Sequence, residues 1–273
     1  MPSLLDELDR AATRIETRHA HGTTVARAWG SLEAPKLVLT HGSFGAWSHW
    51  VRNIPALAEQ RRVIALDMPG LGDSDAPADP ISAESMGAIV AECLDQILAP
   101  GERFQLAGFS FGGIVGGQAA LILEDRLDRF TVLGSNALGL PLDGRAPLRS
   151  PSRSMSDDEI REVHRHNLGI FMFGDPSRID DLAIELQSRN TRRARVRSGV
   201  IPRGDSLARA LARLNVPIRA IWGEKDATSG RYLDDRRRLF EALPNCTGFT
   251  VVPGAGHWVA YEEPDAVNRI LLE

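Results

Sequence analysis

The chain of 273 residues is 43% hydrophobic and 25% charged, an ordinary globular composition that is long enough for one large α/β domain with an inserted lobe. A formal net charge of -4 argues against nucleic acid or an anionic membrane surface as a partner. Only two cysteines occur, Cys93 and Cys246, and they form neither a disulfide framework nor a zinc-type spacing. We therefore expect no metal site.

The N-terminal segment gives no targeting signal. Residues 1–20 are acidic in the first turn and soon charged again, without the basic start and apolar run of a secretory signal. No apolar stretch approaches the roughly 20 residues that span a bilayer. These features predict a cytoplasmic protein that acts on a small molecule and has no membrane partner; a homo-oligomer is left open.

Short apolar runs alternate with longer amphipathic segments along the chain. The first two predicted strands, Arg14–Ala20 and Thr24–Gly30, flank a His-Gly turn and predict a hairpin. Six further strands are predicted at Lys36–His41, Arg61–Asp67, Arg103–Phe109, Arg129–Ser135, Pro217–Gly223 and Gly248–Gly254. Helices are predicted at Trp47–Glu59, Ser82–Leu98, Gly112–Asp125, Tyr232–Leu243 and Ala255–Leu272. Buried strands that alternate with helices predict a mostly parallel sheet covered on both faces, with the hairpin at an antiparallel edge.

One region interrupts this alternation. Between Gly139 and Leu214 no strong strand run occurs, and a connector rich in Pro, Arg and Ser leads into helical segments that start near Ser156 and Asp175. The sequence therefore predicts an α/β core over residues 1–138 and 214–273. A helical cap over residues 139–213 is inserted between two core strands.

The stretch LAGFSFGGIVGG, residues 106–117, places a serine between a predicted strand and a predicted helix. A strand that runs straight into a helix turns so sharply that side chains beside the turn would clash, and Gly108 and Gly112 fit those positions. Ser110 at the apex is expected to have a positive φ and to point its hydroxyl out of the sheet. The pattern is the G-x-S-x-G nucleophile elbow, and its position between strand and helix makes it specific.

A serine nucleophile needs a base and an acid behind that base. With a nucleophile elbow the chain order is serine, acid, histidine. His257 is the one histidine after Ser110 in the predicted core, at the carboxyl end of the last strand. Asp226 follows the preceding strand; Glu224 is a neighbouring alternative for the acid and Asp205 a remote one. The sequence favours Ser110, His257 and Asp226 as a catalytic triad.

Backbone N–H groups are expected to form the oxyanion hole. One donor is Phe111, directly after the nucleophile, and the other is Ser43 or Phe44 in the glycine-containing loop after the third strand. His41 precedes that loop. We interpret it as a side chain whose hydrogen bonds fix the loop and not as a second catalytic histidine.

Several segments, in order and spacing, resemble the landmarks of the α/β-hydrolase superfamily across almost the whole chain. These segments are HGSFGAW, DMPGLGDSD, GFSFGG, WGEKD and PGAGHW. The resemblance implies an α/β-hydrolase fold and a structural role for Asp67. A serine at the elbow separates the chain from the related haloalkane dehalogenases, which use aspartate there. Hydrolysis by such a triad needs no cofactor.

The chain is also similar, more weakly, to the hydrolases that cleave carbon–carbon bonds in ring-fission (meta-cleavage) products of aromatic degradation. The shared features are the HGS start, Trp258 after the histidine, and the cap segment IFMFGDPSRIDDLAIELQSRN. This resemblance implies that Arg189 binds a substrate carboxylate. Phe44 and the elbow GFSFGG depart from the pattern of that family. Trp258 and Phe171 are further candidates for direct substrate contact in an apolar pocket.

These features predict a serine hydrolase that cleaves a carboxylic ester of a small or medium apolar acyl group through an acyl-enzyme. The first alternative is hydrolysis of a carbon–carbon bond in a ring-fission product by the same three residues. The second is a binding protein with the hydrolase fold that has lost turnover.

Overall fold

The computed structural model describes residues 3–143, 147–152 and 154–273, and in that part of the chain eight strands form one sheet. The strands are β1 (Thr13–His19), β2 (Gly22–Trp29), β3 (Lys36–Thr40), β4 (Arg62–Asp67), β5 (Phe104–Phe109), β6 (Leu127–Leu133), β7 (Ile218–Gly223) and β8 (Cys246–Val252). Their spatial order is β1-β2-β4-β3-β5-β6-β7-β8. The β1–β2 hairpin and the β2–β4 pair are antiparallel, and the remaining pairs are parallel. The predicted antiparallel edge is confirmed.

Helices connect the strands and cover both faces of the sheet. They are α1 (Leu4–Ala11), α2 (Ile54–Ala58), α3 (Ala83–Ile97), α4 (Phe111–Ile122), α5 (Asp157–Phe171), α6 (Asp181–Arg193), α7 (Ser206–Leu211), α8 (Leu233–Glu241), α9 (Val259–Glu262) and α10 (Pro264–Leu272). Among the described residues, none of these helices has both the length and the apolar character needed to cross a bilayer.

The apolar core divides into two clusters, one on each face of the sheet. Successive residues of a strand point to opposite faces, so Ile221 joins one cluster and Trp222 the other, both completely buried. Helices α3 and α4 pack on the first face, and α2 and α10 pack on the second. Burial on both faces is what the continuous apolar runs predict, since a strand covered on both sides has no polar face.

Two predicted helices are each divided in the structure. Where one helix is predicted over Trp47–Glu59, the structure has a 3-10 turn at Trp47–Trp50 followed by α2. Where one helix is predicted over Ala255–Leu272, the structure has a loop followed by α9 and α10. Pro55 and Pro264 lie in the first turns of α2 and α10. Proline lacks the N–H that a continuing helix needs, but it is tolerated in the first turn of a helix. A new helix therefore begins at or next to each of these prolines.

The segment between β6 and β7 carries α5, α6 and α7, with residues 144–146 and 153 of its connector outside the described part. Helix α7 packs on α4: the Gln118 side-chain amide donates to the Ser206 carbonyl at 2.9 Å, and Leu207 is completely buried in the core. We therefore propose that the insert comprises residues 139–205, and that α7 belongs to the core. This shortens the cap of residues 139–213 expected from the sequence.

The insert is held against the core by charged and polar side chains. Arg52 forms an ion pair with Asp180 at 2.6 Å, and the Tyr261 hydroxyl donates to the same carboxylate at 2.6 Å. Near the end of α6, Arg193 pairs at 2.7 Å with Asp73 in the loop after β4. These contacts lie on both ends of α6 and fix the helix over the carboxyl end of the sheet.

Candidate active site

Ser110 occupies the turn between β5 and α4 that the sequence predicts. Its φ is 52° and its ψ is -115°, a backbone conformation that costs energy for a residue with a side chain. A Cβ on Gly108 would lie 2.6 Å from the Gly113 Cα, and one on Gly112 would lie 2.5 Å from the Thr40 carbonyl oxygen. The glycines thus permit β5, α4 and the end of β3 to approach closely around the serine.

Gly112 and Gly116, one turn apart on α4, give a matched test of this close approach. A Cβ on Gly116 would meet no atom closer than 3.4 Å, whereas the one on Gly112 would overlap the Thr40 backbone. We expect Gly112→Ala to lower the free energy of unfolding by about 1–3 kcal/mol. Gly116→Ala is expected to be neutral or to raise it by up to about 1 kcal/mol, because alanine favours a helix. Urea denaturation measures both, and equal losses would contradict the packing argument.

Three side chains that are distant in sequence meet at the carboxyl ends of β5, β7 and β8. The His257 Nε2 atom lies 2.9 Å from the Ser110 Oγ, and its Nδ1 atom lies 2.9 Å from Asp226 Oδ2. His257 and Asp226 are both 1% exposed. With Asp226 ionised, Nδ1 carries the imidazole proton and Nε2 is free to accept the proton of the serine hydroxyl. The arrangement is capable of nucleophilic catalysis.

The second oxygen of Asp226 is also fully engaged. Its Oδ1 atom accepts from the Thr228 N–H at 2.7 Å and from the Thr228 hydroxyl at 2.8 Å. Burial alone would raise the pKa of Asp226, but the His257 imidazole and these hydrogen bonds outweigh burial and lower it below its ordinary value. Asp226 is therefore a carboxylate at neutral pH, as the orientation of His257 requires.

The two alternative acids lie elsewhere. Glu224 is exposed and its Oε2 accepts from the Gly254 N–H at 2.8 Å. Asp205 is exposed and pairs with Arg209 one helical turn away. Neither carboxylate is hydrogen-bonded to His257. Geometry therefore selects Asp226 among the three candidates.

The three backbone donors expected for an oxyanion hole all border the cavity above Ser110. Phe111 is the first residue of α4, so its N–H has no acceptor within the helix. In the described residues, the N–H groups of Ser43 and Phe44 donate to no protein acceptor. Gly42 brings their loop close to the elbow, since a Cβ on it would lie 3.3 Å from the Ser110 Cβ.

Two buried histidines fix this loop. His41 donates from Nδ1 to the Gly42 carbonyl at 2.9 Å, and its Nε2 accepts from the Met68 N–H at 3.0 Å. Burial lowers the pKa of His41 to about 4, so the ring is neutral. This agrees with the loop-fixing role expected for His41. The second histidine, His49, was missed by the sequence analysis: its Nδ1 accepts from the Gly42 N–H at 3.3 Å. No motif marks it, because a histidine among aromatic residues is typical of core packing.

Asp67, at the end of β4, has the structural surroundings that the resemblance implies. The completely buried carboxylate accepts from the Trp47 N–H at 2.7 Å and the Asp73 N–H at 3.0 Å, and it pairs with Arg27 at 3.2 Å. It therefore joins the loop after β3 to the loop after β4 and makes no contact with Ser110 or His257.

A cavity of about 210 Å³ opens above Ser110, between the elbow and the insert. Its apolar wall is formed by Phe44, Phe109, Phe111, Ile114, Leu168 and Phe171. The Phe171 ring centre lies 5.0 Å from that of His257, so α5 closes the cavity over the imidazole. The placement agrees with the expectation that Phe171 borders an apolar pocket.

Trp258 does not line this cavity. It is 1% exposed, its Nε1 donates to the His49 carbonyl at 3.0 Å, and its ring stacks on Tyr261 with centres 4.3 Å apart. It supports His49 and the His257 loop from behind. The expected direct substrate contact of Trp258 is therefore replaced by packing behind the site.

Arg189 is likewise outside the cavity, contrary to the carboxylate contact implied by the resemblance. Its guanidinium faces Asp9 at 4.0 Å and lines a separate open groove. The α6 residue that borders the cavity is Gln187. Two positions along a helix correspond to about 200°, so Arg189 points away from it. Arg203, an exposed residue in the turn before α7, does border the cavity.

In the ranges 3–143, 147–152 and 154–273, no group of three or more His, Cys, Asp or Glu side chains could hold a metal ion.

The sequence model of the alpha/beta hydrolase family matches residues 37–270. The chain belongs to the alpha/beta hydrolase family. The sheet order, the elbow and the insert between β6 and β7 are therefore structural features of an alpha/beta hydrolase. Membership of this family identifies the protein as a hydrolase.

Two curated relatives of this alpha/beta hydrolase differ in length. The dihydrolipoyllysine-residue acetyltransferase component of an acetoin cleaving system from Pseudomonas putida is 28% identical over 247 residues, and the match covers 86% of this chain but only 62% of that protein. A 2-hydroxy-6-oxononadienedioate/2-hydroxy-6-oxononatrienedioate hydrolase from Paraburkholderia phymatum is 27% identical over 254 residues, with 87% and 85% covered.

Two solved structures have the same fold. A carboxylesterase from Bacillus subtilis superposes with a TM-score of 0.75 at 20% identity, over 98% of this chain and 95% of that one. A meta-cleavage product hydrolase from Pseudomonas fluorescens superposes with a TM-score of 0.73 at 25% identity, over 94% and 96%. The alpha/beta hydrolase fold predicted from the sequence is confirmed.

Proposed function

We propose that this alpha/beta hydrolase cleaves carboxylic esters of small or medium apolar acyl groups through an acyl-enzyme on Ser110. The observation that carries the proposal is the pair of 2.9 Å contacts that link Ser110 to His257 and His257 to Asp226. These contacts lie at the floor of a cavity whose wall includes Phe109, Phe111 and Phe171, and apolar side chains of this kind remove a hydrocarbon chain from water.

The geometry supports a double displacement. His257 accepts the Ser110 proton as the hydroxyl oxygen attacks the ester carbonyl, and the tetrahedral oxyanion accepts hydrogen bonds from the N–H of Phe111 and that of Ser43 or Phe44. The imidazolium then gives its proton to the leaving alcohol as the ester C–O bond breaks. Water attacks the acyl-enzyme, His257 takes its proton, and the acid leaves with Ser110 restored.

The size of the cavity supports a short acyl chain. The volume of about 210 Å³ lies below the range of roughly 300–1,000 Å³ that is typical of small-molecule pockets. An acyl group of a few carbons fits such a space, and a long fatty chain would have to displace the α5 side chains Leu168 and Phe171. The insert therefore acts as a cap that limits acyl length.

Carbon–carbon bond hydrolysis of a ring-fission product is a second candidate. It is favoured by the relative from Paraburkholderia phymatum, whose name states that activity, at 27% identity over 87% of this chain. Such a substrate carries a carboxylate. Among the described residues, Arg203 is the cationic side chain that borders the cavity, and it is exposed, whereas Arg189 faces outward. An apolar acyl group matches the wall near Ser110 better than an anion does.

A substrate comparison tests the proposal against this candidate. We expect kcat/KM for p-nitrophenyl butyrate to exceed that for 2-hydroxy-6-oxo-6-phenylhexa-2,4-dienoate by at least about tenfold, the factor that 1.4 kcal/mol of differential transition-state binding gives. The kcat/KM for p-nitrophenyl butyrate should exceed the kcat/KM for p-nitrophenyl decanoate by a similar factor, because the longer acyl chain does not fit the cavity. The Ser110→Ala protein supplies the background rate. The reverse preference between butyrate and the dienoate would favour the carbon–carbon hydrolase.

A further inference from the structure

His49 has a nitrogen that the relay of Ser110, His257 and Asp226 does not use. Its Nδ1 accepts the Gly42 N–H at 3.3 Å, so in the neutral ring the proton is on Nε2. Among the described residues, Nε2 has no hydrogen-bond partner and is not enclosed by protein atoms, and His49 borders the cavity above Ser110. The ring therefore presents an N–H donor to the cavity.

The orientation of the His49 ring is fixed on several sides. Its centre lies 4.9 Å from that of Trp258 and 5.7 Å from that of Phe109. A Cβ on Gly45 would lie 2.4 Å from the His49 Cε1, so a glycine there leaves room for the ring. A donor held in this way loses little conformational entropy when it binds a ligand.

The His49 ring is also uncharged. Burial, together with the nearby His41 and His257 rings, holds the pKa of His49 well below its ordinary value. A neutral N–H is suited to an uncharged oxygen acceptor and lacks the charge that a carboxylate-binding guanidinium supplies. His49 and the nucleophile Ser110 border the same cavity, and Gly42, whose N–H donates to His49, lies so near Ser110 that a Cβ on it would be 3.3 Å from the Ser110 Cβ.

We propose that the His49 Nε2–H donates a hydrogen bond to a second, uncharged oxygen of the acyl group, close to the scissile carbonyl. The substrates of this site are then esters whose acyl group carries an ether, keto or hydroxyl oxygen near the carbonyl. This inference rests on the proposed ester hydrolase function and makes His49 a specificity-determining residue of the cavity.

Two esters of equal size test the inference. p-Nitrophenyl methoxyacetate and p-nitrophenyl butyrate differ by one oxygen in place of one CH₂. The measured quantity is the ratio of their kcat/KM values in wild type and in two variants, because the intrinsic reactivity of the esters cancels between proteins. His49→Asn retains an acceptor near the Nδ1 position for the Gly42 N–H but has no donor near Nε2. His49→Gln extends far enough to place an N–H near Nε2.

We expect the methoxyacetate-to-butyrate ratio to fall about 3- to 10-fold in His49→Asn, the effect of losing one neutral hydrogen bond, and to be largely retained in His49→Gln. An unchanged ratio in His49→Asn would overturn the inference. The ratio would stay unchanged if the Nε2–H contacted only the oxyanion, because both esters form that oxyanion. Equal falls in both variants would overturn it too, since the loss would then come from the ring and not from the donor.

A binding measurement keeps the inference testable without turnover and without His49 variants. In the Ser110→Ala protein, nitrogen NMR of the imidazoles should show the His49 Nε2–H signal shift with p-nitrophenyl methoxyacetate and stay in place with p-nitrophenyl butyrate. Equal shifts, or none, would contradict the role of His49. If wild type hydrolyses neither ester, the proposed function fails, and the NMR result still decides whether His49 donates to an acyl oxygen.

Discussion

Replacing Ser110 by alanine is expected to lower kcat for p-nitrophenyl butyrate by about 10⁶-fold. Without the hydroxyl, His257 has no nucleophile to activate at 2.9 Å, and catalysis is reduced to what the oxyanion donors and substrate binding supply to attack by water. Release of p-nitrophenol at saturating ester measures the change. Retention of more than about one per cent of the wild-type kcat would show that Ser110 is not the nucleophile.

Ser110→Gly is the matched control for this substitution. It removes the same hydroxyl, so it should be as inactive as the alanine variant. Glycine accepts a φ of 52° without strain, so we expect Ser110→Gly to be about 1 kcal/mol more stable than Ser110→Ala. Thermal unfolding of the two proteins compares them. A less stable glycine variant would contradict the strain inferred at the elbow.

Asp226→Asn is expected to lower kcat by about 10⁴-fold with little change in fold. Thr228 gives two hydrogen bonds to Oδ1, at 2.7 and 2.8 Å, and so holds the asparagine carbonyl in that position. The amide NH₂ then faces the His257 Nδ1, which must accept, and the imidazole proton moves to Nε2. In that tautomer His257 is unable to take the Ser110 proton. Steady-state kinetics at neutral pH measure the loss.

Glu224→Gln is the matched control for Asp226→Asn. Both residues follow β7, but Glu224 is exposed and contacts the Gly254 N–H, an acceptor role that glutamine retains. Its kcat should stay within about twofold of wild type, as for a surface change away from the site. A loss in Glu224→Gln as large as that in Asp226→Asn would contradict the choice of Asp226 as the acid.

The sequence predicts the sheet and the elbow because both depend on local patterns. Strands such as β5 and β7 are buried on both faces, so they must be apolar without interruption. The turn at Ser110 has so little room that glycine is required on either side of it. The amino-acid sequence alone shows these glycines. The order of serine, aspartate and histidine then follows from the elbow.

Other features depend on contacts that a local pattern does not contain. The breaks before Pro55 and Pro264 were missed because the apolar spacing continues across them, and α1 was not predicted from its short amphipathic segment. The resemblance places Arg189 near the position of the carboxylate-binding arginine of the carbon–carbon hydrolases. The packing of the insert on the core, however, determines which side of α6 faces the cavity. His49 belongs to the site only because the loop after β3, which carries it, packs beside Ser110 in the folded chain. The spacing of residues in the sequence does not reveal this contact.

The most direct measurement is labelling with a fluorophosphonate, followed by mass mapping of the peptides. The probe reacts only with a serine whose proton is removed and whose oxyanion is stabilised. We expect one label on Ser110 in the wild type, none in Ser110→Ala, and strongly slowed labelling in His257→Ala. A wild-type protein that stays unlabelled at Ser110 would contradict a working Ser110–His257–Asp226 relay and would favour a binding protein that retains the hydrolase fold without turnover.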